Sequence, residues 1–433
     1  MVLHDFPVDA QGTLVVGGVR APDLAAAHGT PLLVIDEARF RDNCRAYRDA
    51  LSAAYPQSQP IYASKALCVM ATCQLAYAEG LHVDVASAGE IHTARSAGLP
   101  GEVLHFHGNN KTPEELRYAL AQGVGRIIVD NFYELDLLDA LTRGSAERVR
   151  VLLRVTPGIE PSTHQAIRTG GVDSKFGFGL ADGDAMRAVQ RALEIPGVEL
   201  CGLHSHIGSQ IFDLDPFRLA ARAVVDVLAQ VRRELGLILP ELNLGGGLGI
   251  RYVAEDAPPT IAAFVRGLTE ALVAALDAHG LPHPRLFLEP GRSIVGDAGV
   301  TLYTVGAIKT IPGVRTYASV DGGMFENPRP ALYGARYTAV AADRAQAPAA
   351  ESVTIAGRCC ESGDVLIWHA DLPALHPGDL LAVFSTGAYT YSMASNYNRF
   401  PRPAVVLAGE GRARVVVARE TYDDLIRQDR PLS

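Results

Sequence analysis

The sequence is poor in cysteine, in basic charge and in long apolar runs, and each shortage removes a class of protein. Its 433 residues include six cysteines, Cys44, Cys68, Cys73, Cys201, Cys359 and Cys360, and no CxxC pair. That excludes a disulfide scaffold and leaves no spacing for a structural zinc or a thioredoxin-like dithiol. No apolar stretch reaches the roughly 18 residues that a membrane helix needs. The opening MVLHDFPVDAQG has neither the basic start nor the apolar block of a secretion signal, so a soluble, cytoplasmic protein is expected. Lys and Arg total 39 against 48 Asp and Glu, a net charge of -9, and no basic run offers nucleic acid a footprint. What is present is core material. Apolar residues make up 48% and charged residues 20%, a balance that argues against disorder. The length suggests two to three domains, although one α/β barrel absorbs about 250 residues.

From about residue 32 to 290 short apolar runs alternate with helical patterns. Phe40, Cys44, Tyr47 and Leu51 recur at helical spacing, as do Val224, Leu228, Val231 and Leu235 after the helix-starting Pro216. Between such helices lie eight strand-like runs at 61–65, 82–87, 103–110, 126–131, 149–158, 202–210, 242–249 and 285–292. Eight strand–helix units without a hairpin signal predict a (β/α)8 TIM barrel, since an open doubly wound sheet usually closes with fewer strands. From about residue 300 the pattern changes to strand alternation punctuated by Asp-Gly, Ser-Gly and Pro-Gly turns. The expected division is an N-terminal strand segment over 1–32, the barrel over 33–295 and a mostly β domain over 296–433. The run TLVVGGVR at 13–20 is expected to join the β domain, because so short a strand is not stable alone.

Barrel chemistry sits at the C-terminal ends of the strands, so those ends nominate the candidates. They carry Ser64-Lys65, Asp84 and Ser87, His105 and His107, His204 with His206 and Ser209, Gly245-Gly246-Gly247, and Glu289 with Gly291-Arg292. Lys65 can be read as a plain strand cap or as an amine desolvated for Schiff-base chemistry. The triglycine can be a tight turn, or backbone N–H groups open to a phosphate, with Ser209 and Arg292 beside it. Glu289 follows the apolar run Leu286–Leu288, so it needs a partner, which can be a salt bridge or a protonated pyridine nitrogen. His105-x-His107 and His204-x-His206 with a strand-eight carboxylate also resemble the metal ligands of barrel hydrolases. A metal explains neither the lysine on strand one nor the glycines on strand seven, so none is expected. In the β domain, Arg329 and Tyr333, then Cys360-Glu361-Ser362-Gly363-Asp364 and Thr386-Gly387-Ala388-Tyr389, suit an amino-acid substrate with several charges.

Nine motifs in order, YASKA, DVASAGE, HGNNK, HSHIGSQ, NLGGGLGI, EPGRS, RPALYGA, CESGD and TGAY, resemble the fold type III pyridoxal-phosphate decarboxylases over nearly the whole chain. More narrowly they resemble the branch acting on meso-2,6-diaminopimelate in the last step of lysine biosynthesis. The resemblance implies that Lys65 bonds to pyridoxal 5'-phosphate and that His206 stacks on its ring. It also implies that Ser209, Gly246, Gly247, Gly291 and Arg292 hold its phosphate, with Asp84 and Tyr389 completing the cofactor site and Glu289 on the pyridinium nitrogen. Cys360 would donate a proton and Glu361 would meet the distal ammonium, both supplied across a homodimer interface. Arg292, Arg329, Tyr333 and Tyr389 would contact substrate. A same-fold decarboxylase of lysine, ornithine or arginine is the near alternative. A silent, non-catalytic relative would be expected to lack Lys65 or Cys360, and both are present. Ser64 departs from many relatives and is expected to point away from Lys65 without loss of function.

Overall fold

Strands buried on both faces read as continuous apolar runs, and the eight such runs form one closed parallel barrel. The computed structural model describes residues 5–159, 169–171 and 173–432. The barrel strands are β1 (Ser58–Ala63), β2 (His82–Val85), β3 (Leu104–Phe106), β4 (Arg126–Val129), β5 (Val149–Thr156), β6 (Val198–His204), β7 (Glu241–Asn243) and β8 (Arg285–Leu288). Each pairs in parallel with the next, and β8 closes the ring by pairing Leu286 with Ser58 and Leu288 with Pro60. Helices connect the strands. Several begin where a polar side chain meets the orphan backbone donors of the first turn. Ser87 accepts from Glu90 N, Asn131 from Glu134 N and Thr260 from Ala263 N.

Chain contacts divide the protein into a barrel unit, 43–249 and 258–292, and a β unit, 1–42, 250–257 and 293–433. This differs from a boundary at residue 33. The strand Leu32–Asp36 lies inside the β unit's sheet, antiparallel to Gly299–Leu302 and parallel to Ala404–Ala408. That sheet runs in the order Val365–Leu372, Glu351–Ala356, Arg315–Val320, Gly299–Ile311, Leu32–Asp36, Ala404–Gly409 and Arg412–Val417. The run at 13–20 joins the β unit in another way than by extending the sheet. It turns at Gly17-Gly18 into a hairpin that pairs Val15 with Arg20 and Val16 with Val19. Leu14 and Val16 then pack with Val34, Leu302, Phe384 and Val406 in one of the unit's cores.

The barrel interior is not wholly apolar at the N-terminal ends of its strands. Arg126 bonds Glu241 through two donors, with Nε 2.7 Å from Oε2, and lies 5.0 Å over the Phe287 ring. Beside them His82 Nδ1 is 3.0 Å from His105 Nε2. Burial, with the charges of Arg126 and Arg285, pushes His82 down to about 4, and burial takes His105 well below its usual value. Near the other end, Lys111 forms a fully buried pair with Glu134 at 2.8 Å and donates to the carbonyls of Gly108 and Ile128. It thereby ties the loop after β3 to β4.

Two outcomes follow from these buried charges. Between pH about 6.5 and about 4 the unfolded chain binds a proton at His82 that the folded chain refuses. Stability is therefore lost as pH falls through that window, by about 1–3 kcal/mol, and urea midpoints at pH 7, 5.5 and 4.5 should decline in that order. His82→Gln should flatten the decline. Lys111→Met strands the Glu134 carboxylate and should cost about 3–5 kcal/mol in the same urea titration.

Candidate active site

Strand β1 ends at Ala63, and Ser64–Ala66 form a single 3-10 turn, so Lys65 stands on a turn rather than at a strand end. Ser64 is fully buried while the Lys65 side chain is 43% exposed, so the two point different ways. The Tyr62 hydroxyl donates to the Leu67 carbonyl at 3.0 Å and pins the turn. Lys65 Nζ lies 3.8 Å from Asp84 Oδ2, an oxygen that accepts no hydrogen bond among the described residues. Burial raises the Asp84 pKa against the pull of His107 and Lys65.

Glu289 follows β8 and is 7% exposed. A carboxylate so placed would be protonated unless donors satisfied it. Three donors do so. His107 Nε2 and Asn243 Nδ2 each lie 2.7 Å from Oε1, and His204 Nε2 lies 3.1 Å from Oε2. Burial alone would raise its pKa, but His107 and His204 overcome burial and hold it well below the carboxylate range. Burial keeps His204 near 4, hence neutral, and its contact with Glu289 places the proton on Nε2. The ligand atoms of His107, His204 and Glu289 lie within 4.8 Å of one another, as a metal site would require. Ligands of one tetrahedral zinc stand roughly 3.3 Å apart, given bonds near 2.0–2.1 Å. The 2.7 Å approach of His107 to Glu289 is the length of a hydrogen bond instead.

A third cluster carries the glycines. A Cβ on Gly246 would fall 2.1 Å from the Glu289 carbonyl oxygen, and one on Gly247 would fall 2.5 Å from that of Gly208. Gly245 and Gly247 also hold φ of +66° and +131°, which side chains avoid. Only glycine brings this backbone so close. Arg292, 5% exposed, donates from Nε and Nη2 to Ser209 Oγ at 3.1 and 3.0 Å. Gly246 N donates to His206 Nδ1 at 3.3 Å, which leaves the ring proton on Nε2. Burial, then the Lys65 charge, keeps His206 well below its usual pKa. Gly291 packs its backbone against Ala63, where a Cβ would lie 2.9 Å from the Ala63 oxygen. The barrel unit thus holds an amine, an ionised carboxylate and a glycine-walled cup with an arginine. In kind this donor set fits a phosphorylated pyridine aldehyde.

The β unit carries the other candidates. Arg329 is buried and opens the short helix Arg329–Tyr333. Its guanidinium donates to the Tyr337 hydroxyl at 2.7 Å and lies 4.9 Å over the Tyr252 ring. Tyr333, at the end of that helix, is half-buried. Cys360 and Glu361 stand exposed on a tight turn, whereas Cys359 is buried. Tyr389 is half-buried and sits in the left-handed region at φ +59°, strained backbone for a tyrosine.

Sequence reasoning missed two features here. Asn243 was unremarked, yet it donates to Glu289 and accepts from Gly245 N at 2.9 Å. Arg154 on β5 is a buried cation 3.7 Å from Asp130, lying 4.2 Å over the Phe176 ring. Its only signal was a charge deep in the run VRVLLRVT, beyond the exposed Arg150 at its start.

Comparisons with known proteins agree on the family. The model of the pyridoxal-dependent decarboxylases' pyridoxal binding domain matches residues 37–296. Over 432 residues the chain is 51% identical to a diaminopimelate decarboxylase of Bacillus subtilis (strain 168), covering 100% of this chain and 98% of the relative. It is 45% identical to the diaminopimelate decarboxylase of Synechocystis sp., covering 98% and 91%. Among solved structures, the M. jannaschii diaminopimelate decarboxylase in complex with L-lysine matches with a TM-score of 0.91 at 35% identity, covering 100% and 99%. A lysine/ornithine decarboxylase from Vibrio vulnificus, complexed with putrescine, matches at 0.75 and 27% identity, covering 89% and 96%. The chain belongs to the pyridoxal-dependent decarboxylases, within their diaminopimelate decarboxylase family.

Proposed function

We propose that the protein decarboxylates meso-2,6-diaminopimelate to L-lysine and carbon dioxide, with pyridoxal 5'-phosphate held at the C-terminal end of the barrel. The observation that carries this reading is 51% identity over the whole chain to a diaminopimelate decarboxylase. The buried, ionised Glu289 supports it, because such a carboxylate is suited to a cationic ring nitrogen. When bound, the cofactor supplies an electron-withdrawing ring that accepts the pair left by the departing carboxylate.

The chain's own residues then have distinct tasks. Lys65 provides the amine that holds the cofactor and yields to the substrate amine, with Asp84 beside it. Glu289 stabilises positive charge on the pyridine nitrogen, and the neutral His206 presents an uncharged face to the ring. Ser209, Gly246, Gly247, Gly291 and Arg292 bind the phosphate, and Tyr389 closes the cofactor site. Arg292, Arg329, Tyr333 and Tyr389 contact the substrate, where an arginine matches the distal carboxylate bidentately and Glu361 meets the distal ammonium. Cys360 donates the proton. Its S–H bond breaks as a C–H bond forms at the carbon that lost carbon dioxide, and the thiolate regains its proton from water.

The working form in this reading is a homodimer in the cytoplasm, with Cys360 and Glu361 reaching the partner's barrel. Among the described residues no helix is long and apolar enough to cross a membrane.

The first test is carbon dioxide release by the holoenzyme from meso-diaminopimelate, L-lysine, L-ornithine and L-arginine in parallel. Release from diaminopimelate alone, with lysine as product, is expected. Release from one of the others would keep the fold and cofactor but overturn the roles of Arg329 and Glu361. Separately, Lys65→Ala should abolish the visible absorption of the bound cofactor. It should also lower kcat by about a thousandfold or more, the scale on which loss of a covalent group acts.

A further inference from the structure

Cys360 and Glu361 lie on a turn whose geometry is set by two side chains outside any role assigned so far. The turn closes on itself through Gly357 N to the Asp364 carbonyl at 2.9 Å, Glu361 N to the Cys359 carbonyl at 2.7 Å and Asp364 N to the Glu361 carbonyl at 3.1 Å. Inside it sits the Asp364 carboxylate, 3% exposed. One oxygen accepts from Met324 N and the other from Cys359 N, each at 2.7 Å. Its slot is walled by glycine. A Cβ on Gly323 or Gly357 would fall 2.5 or 2.2 Å from a carboxylate oxygen. On the outer side Asn398 Oδ1 accepts the Cys360 N–H at 2.7 Å. Asn398 holds φ +52° and ψ +22°, a left-handed conformation that asparagine tolerates better than most residues. Arg358, next to the turn, lies 4.4 Å over the Phe400 ring and donates its N–H to the Gly322 carbonyl at 3.0 Å.

Two consecutive backbone donors, those of Cys359 and Cys360, are therefore each held by a different side chain. The peptide plane between the cysteines is held at both polar groups, its N–H by Asn398 and the Cys359 carbonyl by Glu361 N. Asp364 holds the plane before it, and together these restrain the direction of the Cys360 Cα–Cβ bond before substrate arrives. We propose that Asn398, with Asp364, is a positioning residue that aims the Cys360 thiol for proton delivery. The inference rests on the reading of Cys360 as proton donor.

The test compares wild-type, Asn398→Ala, Asn398→Asp and Cys360→Ala holoenzymes. Three quantities are read: kcat, KM for diaminopimelate, and the rate at which iodoacetamide alkylates Cys360, followed on its own peptide by mass spectrometry. Asn398→Ala should lower kcat by about tenfold to a hundredfold, the scale of a misplaced reacting group, and leave KM within about twofold. It should also change the Cys360 alkylation rate by at least about threefold, because the thiol's surroundings change. Asn398→Asp keeps the acceptor oxygen and should restore kcat. Wild-type kcat and alkylation in Asn398→Ala, beside an impaired Cys360→Ala, would overturn the positioning role alone. Wild-type kcat in Cys360→Ala would instead remove the reading of the thiol as donor. Asp364→Asn is a second probe, expected to shift alkylation in the same sense. The Asn398 series decides the matter if that variant does not fold.

Discussion

The Glu289 carboxylate is the constraint on which the barrel mouth depends. It must stay charged while almost wholly out of water, and only donors fixed by other strands can keep it so. His107 follows β3, His204 ends β6 and Asn243 ends β7, so three separated stretches of chain converge on two oxygens. That convergence demands a closed barrel. In an open sheet, strands so far apart in order would not aim at one point. Asn243 also accepts from Gly245 N, which links the ionised carboxylate to the start of the glycine cup. Charge control and backbone shape at this end of the barrel therefore have a common anchor.

The barrel was legible because parallel strands are buried on both faces, so each of the eight announces itself as an apolar run ending in polar or glycine residues. The ends of those runs also nominated Lys65, Asp84, His206, Ser209 and Glu289 as candidates, because chemistry in this fold sits there. Lys65 was placed on a strand by its neighbours Ile61 to Ala63, yet the backbone turns at Ser64 and only that turn exposes the amine. The bonds around Glu289 were not legible. His107 is 182 positions away and Asn243 is 46, and no local pattern reports a partner at such distance.

The β unit was read less well for a related reason. Its alternation and turn pairs were visible, but strand partners were not, since register depends on pairing between segments far apart in the chain. TLVVGGVR and LLVID look equally strand-like. The glycine pair makes the first a self-contained hairpin, and the second takes an interior place in the sheet. The short segment 250–257 had no sequence signal for its unit either. Ile250 and Tyr252 pack there with Tyr303, Tyr337 and Leu381.

The placing of Leu32–Asp36 has a consequence for how the protein is made. This strand leaves the ribosome early, yet its neighbours Gly299–Leu302 and Ala404–Ala408 are synthesised about 260 and 370 residues later. At about 5–20 residues per second it waits roughly 13–50 s for the first of them. Throughout that interval an apolar stretch with two open hydrogen-bonding edges has no native partner, while the barrel segments between can already assemble. The β unit is thus the last part of the chain that can close, and a ribosome stalled before residue 299 releases a barrel trailing an unpaired strand.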